Sequence, residues 1–114
     1  MTGWYRQELK AVIQDLIAKW EERLNIRVED WQVRRMKTRR GSCNMTKKRI
    51  WLNLELAQKP LHCLEYIIVH EMVHLLERHH NDRFLAYIDE YLPNWKHLRA
   101  ELNALPVSHA DWKY

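Results

Sequence analysis

His70, Glu71 and His74 interrupt an otherwise apolar run, Tyr66-Ile67-Ile68-Val69-His70-Glu71-Met72-Val73-His74-Leu75-Leu76. A spacing of four puts the two imidazoles on one face of a helix, about one turn apart. Two imidazoles placed so can share a metal ion at a Zn–N distance of about 2.0–2.1 Å. Glu71 points to the side of that pair. From there its carboxylate can reach a water beside the metal without joining the ligands, which is the logic of an HExxH sequence. The metal lowers the pKa of that water toward about 7, and the carboxylate takes its proton as it attacks a polarised centre. The alternative is two core histidines and a salt-bridged glutamate. Each of the three ionisable groups would then need its own partner inside an apolar helix. One metal centre answers all three.

A catalytic zinc takes a third protein ligand and keeps one open position. Glu77 shares the face of His70 but lies about 10 Å along the axis from it, so it reads as a residue orienting a ligand from outside the metal's own shell. His80, six residues after His74, completes HExxHxxxxxH. It reaches the metal if the chain bends near Arg78–His80. His79 and Asp82 are the alternatives for that place. His62, His97 and His109 read as surface or structural histidines.

The surrounding pattern supplies the scaffold. Residues 4–24 carry Leu9, Val12, Ile13, Leu16, Ile17, Trp20 and Leu24 at helical spacing, with Asn25 as the stop. Residues 26–37, with Ile26, Val28, Trp31 and Val33, fit a strand. Ile50, Leu52 and Leu54 alternate with Trp51 and Asn53, so 48–54 fits a second one. These two are expected to pair as a hairpin, with Gly41-Ser42 in the loop between them. From Pro60 the apolar residues cover nearly the whole circumference of a helix through Leu76, which places it at the centre of the fold. Asn81 or Asp82 caps a helix with core face Phe84, Leu85, Ile88 and Leu92, and Pro93 interrupts it. Trp95, Leu98, Leu102 and Leu105 make a last helical stripe. The order of helix, hairpin and helices describes an α+β domain with segregated elements.

The chain has 114 residues, 46% of them hydrophobic, and six Trp, enough for one small core spanning residues 1–114 as a single domain. The net charge of +4 is concentrated: residues 34–49 hold eight Lys or Arg and no acid, against eleven bases and fifteen acids elsewhere. Such a patch suggests an anionic partner, a nucleotide or nucleic acid, or a solvated basic loop. No apolar run approaches the length of a membrane span, and the N-terminus lacks a signal-peptide core. Cys43 and Cys63 form no CxxC pair and read as reduced thiols of a cytoplasmic protein.

An ordered series of motifs adds to this. Lys37-Thr38-Arg39-Arg40-Gly41-Ser42-Cys43 is a basic strand leading to Gly-Ser-Cys. Leu52-Asn53-Leu54, Pro60, the helix 69–76, His80-Asn81-Asp82-Arg83-Phe84 and Leu92-Pro93-Asn94-Trp95 follow it. In this the chain, from about Trp4 to Leu102, resembles the YgjP-like predicted metal-dependent hydrolases, relatives of the SprT-like and zincin metallopeptidases. The resemblance implies zinc ligands His70, His74 and His80, with Glu71 as general base. It implies a minimal zincin-like α+β domain in which a strand beside the active helix receives an extended substrate. Candidate substrate contacts are Lys37, Arg39, Arg40, Gly41, Ser42 and Asn53. Two positions depart from the family pattern: Arg40 stands where Trp is common, and Leu85 where a second aromatic often follows the Phe. Strands that precede the first helix in longer members have no counterpart here.

Three functions compete on these residues. The first is a zinc-dependent hydrolase of the peptidase type, binding one Zn2+ and acting on a peptide or protein. The second keeps the metal but hydrolyses a phosphoanhydride held by Lys37, Arg39, Arg40 and Arg78. The third is a zinc-stapled domain that binds nucleic acid through residues 34–49 near Trp31 and Trp51. The first is preferred: the second lacks a phosphate-cradling Gly-rich motif, and Glu71 stands against the third, because a purely structural metal site has no use for a general base.

Overall fold

The computed structural model describes residues 6–34, 41–53, 61–79 and 81–104. Helix α1 runs Arg6–Leu24. Leu9, Ile13, Ile17, Trp20 and Leu24 recur every three or four positions and are buried, forming one apolar stripe. The helix stops at Asn25, whose φ of 55° is left-handed. Beyond it the Ile26 amide returns to the Glu21 carbonyl at 3.1 Å, the closing bond of a Schellman end. The Glu21 carboxylate also accepts from the Val28 amide at 2.8 Å, so one residue aims the chain into the sheet.

Three strands follow: β1 at Asp30–Arg34, β2 at Gly41–Asn44 and β3 at Arg49–Asn53. Their order is β1-β3-β2. The two strands expected from the sequence do pair, but in parallel, with Val33 opposite Leu52. The hairpin is a different one: β2 runs antiparallel to β3, with Cys43 opposite Ile50. Gly41 and Ser42, expected in a loop, open β2. The turn lies at 45–48 instead. There the Asn44 side chain accepts from the Lys47 amide at 3.0 Å, and Lys48 takes a φ of 53°. The physical reason is that β2 has no apolar alternation of its own. Pairing with the strongly apolar β3 makes it a strand. Ile50 and Leu52 turn inward and are fully buried, while Trp51 on the opposite face carries the Arg34 guanidinium at 4.8 Å from its ring.

Helix α2, Leu61–Val73, is the centre of the molecule. It packs against α1, α3, α4, β2 and β3. Ten of its thirteen residues are buried, as its all-round apolar sequence requires. Glu65 is one of the few that reach solvent. It takes hydrogen bonds from Lys19 Nζ and Trp20 Nε1, both at 2.8 Å, which fastens α1 to α2. Helix α3, Asp82–Tyr91, is capped by Asn81, whose side-chain oxygen accepts from the Phe84 amide at 3.1 Å. Phe84 and Ile88 are its buried stripe. Past Pro93, helix α4 runs Trp95–Ala104 and buries Trp95, Leu98 and Leu102. The result is an α+β fold of four helices and a three-stranded sheet among the described residues, and none of those helices is long and apolar enough to cross a membrane.

Two predictions follow from these attachments. Burial pushes the Glu65 carboxyl up, but the hydrogen bonds from Lys19 and Trp20, with the charges of Lys19 and Arg23, outweigh it and hold the group below its ordinary 4.5. A depressed carboxyl stabilises the fold above its unfolded pKa and loses that contribution as pH falls through the folded one. Glu65→Gln is therefore expected to be less stable than wild type at neutral pH, with the difference shrinking below about pH 4 in urea unfolding. A difference that stays constant across that range would remove the ionic part of the argument. Replacing the cap, Asn81→Ala is expected to cost about 1 kcal/mol by the same assay and Asn81→Gly only a few tenths.

Candidate active site

The last turns of α2 carry the residues singled out by the sequence. His70 and Glu71 are 4% and 3% exposed, so two ionisable side chains lie inside the core, and His74 is half-buried at its rim. The spacing of four does bring the imidazoles together: their ring centroids are 5.0 Å apart, at an interplanar angle of 74°. Phe84 of α3 packs on both, 5.0 Å from His70 and 4.6 Å from His74, and Tyr66 stands 5.9 Å from His70. Aromatic walls of this kind restrict the rotamers of the two histidines.

The chain after Val73 completes the site. The chain does bend at Arg78 and His79, where the sequence places a bend, but regular α-helix ends earlier than Leu76, at Val73. The Leu75 and Leu76 amides bond three residues back, to Met72 at 3.0 Å and to Val73 at 2.8 Å, which tightens the last turn. The tightening folds the Glu77 carbonyl back to His74 Nδ1, at 3.1 Å. A carbonyl only accepts, so that nitrogen carries the proton and Nε2 keeps its lone pair. Glu77 thus meets His74 through its main chain, while its carboxylate accepts from Asn81 Nδ2 at 3.1 Å. The same Asn81 caps the helix that presents Phe84. Ring, cap and carbonyl form one connected unit around the histidine pair.

On the other flank lies β2. Burial first, and then the charge of Glu71, push the Cys43 thiol up to about 12. Glu71 is therefore close enough to the strand to act on it. A thiol so placed stays protonated near neutrality. Among the described residues β2 is an edge of the sheet, paired on one side with β3.

The other expected residues are scattered. His80 lies outside the described residues, as do Lys37, Arg39 and Arg40. Gly41 and Ser42 stand on β2 opposite Leu52 and Trp51. Asn53, at the end of β3, is 0% exposed and belongs to the interior. Arg78, His79 and Asp82 are exposed. His62 and His97 are on the surface, as their sequence context suggests, but they share a carboxylate, Glu101, to which no sequence motif links them. The signal was the four-residue spacing of His97 and Glu101, which gives no hint of the partner helix.

Two solved structures share this fold. The crystal structure of the metallopeptidase zymogen of Pyrococcus abyssi abylysin matches with a TM-score of 0.73 at 18% identity, over 79% of this chain and 90% of that one. That of the metallopeptidase zymogen of Methanocaldococcus jannaschii jannalysin matches with a TM-score of 0.70 at 22% identity, over 79% and 92%. At these identities the likeness is one of fold. None of the curated proteins matches the sequence. The family model of the YgjP-like metallopeptidase domain matches residues 1–105, nearly the whole chain and every element described above, and so the protein belongs to the YgjP-like metallopeptidase family.

Proposed function

We propose that this metallopeptidase-family chain is a zinc-dependent peptide hydrolase, with His70, His74 and His80 holding the metal and Glu71 as general base. The observation that carries the reading is the paired imidazoles, with ring centroids 5.0 Å apart in a site where His74 Nδ1 is engaged by the Glu77 carbonyl. That bond leaves Nε2 as the donor and fixes the ring, which is how metal-ligating histidines are commonly held. The donor set therefore fits a borderline divalent ion. Zinc bound there supplies Lewis-acid polarisation of the scissile carbonyl and brings the pKa of a water toward about 7.

The chain's own residues do the rest. Glu71, buried beside the pair, accepts a proton from the attacking water and returns it to the departing amide nitrogen. Its 3% exposure keeps that transfer away from bulk solvent. The side of β2 that no described strand pairs with offers main-chain donors and acceptors to an extended peptide, which would lie as an added strand alongside the Glu71 flank. Phe84 and Tyr66 hold the imidazoles without offering a competing charge. Hydrolysis of a phosphoanhydride, or nucleic-acid binding, would draw on the basic residues of 34–49. The described residues add no specific contact in favour of either.

Two outcomes test this. Glu71→Gln should retain its metal by elemental analysis and lose at least about 100-fold in cleavage of a fluorogenic peptide library. A variant as active as wild type would remove the general base. His74→Ala and His80→Ala should each lose most of one equivalent of zinc relative to wild type, the difference between proteins being the quantity that reports on this centre. Equal zinc in His80→Ala would transfer the third place to another residue.

A further inference from the structure

At the opposite end of α2, His62 and Cys63 occupy the helix's first turn. Facing them, Glu101 extends from α4. A ring nitrogen of His62, Cys63 Sγ and a Glu101 carboxylate oxygen all lie within 4.8 Å of one another. Cys63 Sγ is 3.7 Å from Glu101 Oε2, and His62 Nε2 is hydrogen-bonded to that same oxygen. The other carboxylate oxygen, Oε1, lies 3.8 Å from Nε2 of His97, one turn earlier on α4. Neither cysteine of the chain is in a disulfide.

These distances suit one small ion. A tetrahedral zinc with Zn–N near 2.0 Å, Zn–O near 2.1 Å and Zn–S near 2.3 Å separates its ligand atoms by about 3.3–3.7 Å. The three donors need only small side-chain adjustments to reach that. Their chemistry is also selective. Nitrogen, thiolate and carboxylate together suit zinc and its transition-metal neighbours far better than magnesium or calcium. The hydrogen bond from His62 holds the Glu101 carboxyl below the usual carboxylate range, so it is already an anion. The side chains of His62 and Glu101 are 52% and 32% exposed, which leaves an entry from solvent, while the fully buried Cys63 forms the floor.

We propose that His62, Cys63 and Glu101, with His97 at hand as a fourth ligand, form a second binding site for a zinc-type divalent cation that staples the start of α2 to α4. The site shares no residue with the His70–His74 pair. Cys63 lies seven residues, about 10 Å along the helix axis, from His70. On binding, the Cys63 thiol gives its proton to solvent, and the proton between His62 Nε2 and Glu101 leaves Nε2 for Nδ1 or for solvent, so occupancy rises with pH.

Cobalt(II) titration of the full chain in a Cys43→Ser background tests it, because Cys63 is then the only thiol. The expected result is a near-ultraviolet thiolate-to-cobalt charge-transfer band that saturates. Glu101→Gln and His62→Ala in that background alter two partly exposed side chains and should each weaken cobalt binding at least about 10-fold, judged from the band. The His70–His74 centre contributes no thiolate, so its own occupancy leaves this signal untouched. Absence of the band at saturating cobalt, or a band that neither variant weakens, would overturn the site.

Discussion

The fold turns on a conflict within α2. Its sequence is apolar on nearly every side, which drives it to the centre, yet it carries His70 and Glu71 into that centre with it. Burying ionisable groups costs free energy that the apolar contacts around them must offset. A helix designed for stability alone would place leucine at both positions. Holding them there makes sense when the groups work in a dry, fixed environment, where charges act more strongly than in water and proton transfer is shielded. The core here is the wall of the site as well as the source of stability.

That wall is built from short-range contacts with one long-range consequence. Tightening of the chain after Val73 brings the Glu77 carbonyl to His74, and the Glu77 carboxylate to Asn81. Asn81 starts α3 in the orientation that lays Phe84 across both imidazoles. Side-chain orientation at the histidines therefore depends on a helix cap, which explains how a connection of a few residues can position reactive groups without a large supporting shell. On the other flank the supporting element is β2, and its presence depends on β3. The site is thus assembled where the sheet's edge and the end of the central helix meet.

How much of this could be read in advance differs by element. The helices were legible because a 3.6-residue apolar period and local boundary residues, the stops Asn25 and Pro93 and the cap Asn81, are encoded within each segment. The histidine pairing was legible for the same reason, since two residues four apart on a helix share a face whatever surrounds them. The sheet was not. Val33 and Leu52 announce strands, but whether strands lie parallel depends on where the chain between them goes. Gly41-Ser42-Cys43-Asn44 has no period of its own to reveal that it is a strand. The end of α2 was misplaced because Leu75 and Leu76 continue the apolar pattern after the helical hydrogen bonding has changed. The bond from Glu77 to His74 is made by a main-chain carbonyl, which no side-chain pattern encodes. The cluster around Glu101 joins residues almost forty positions apart, and only the packing of α4 on α2 brings them together.

Placement along α2 also bears on why so small a chain can carry such a costly site. A chain of 114 residues buries a limited fraction of its surface, so the margin that tolerates a buried glutamate and histidine is narrow. The fastenings between α2 and its neighbours widen it. Glu65 ties the helix to α1 near its middle, and Glu101 ties its first turn to α4. Both attachments lie N-terminal to His70 along the helix. They anchor the part of α2 away from the candidate site, while its C-terminal end takes the tightened geometry around His74. A cation at the Glu101 cluster would strengthen the anchored end in proportion to its binding free energy, because it binds the folded chain in preference to the unfolded one. Stability gathered at one end of the helix would then support polar groups buried at the other, through the rigidity of the segment that joins them.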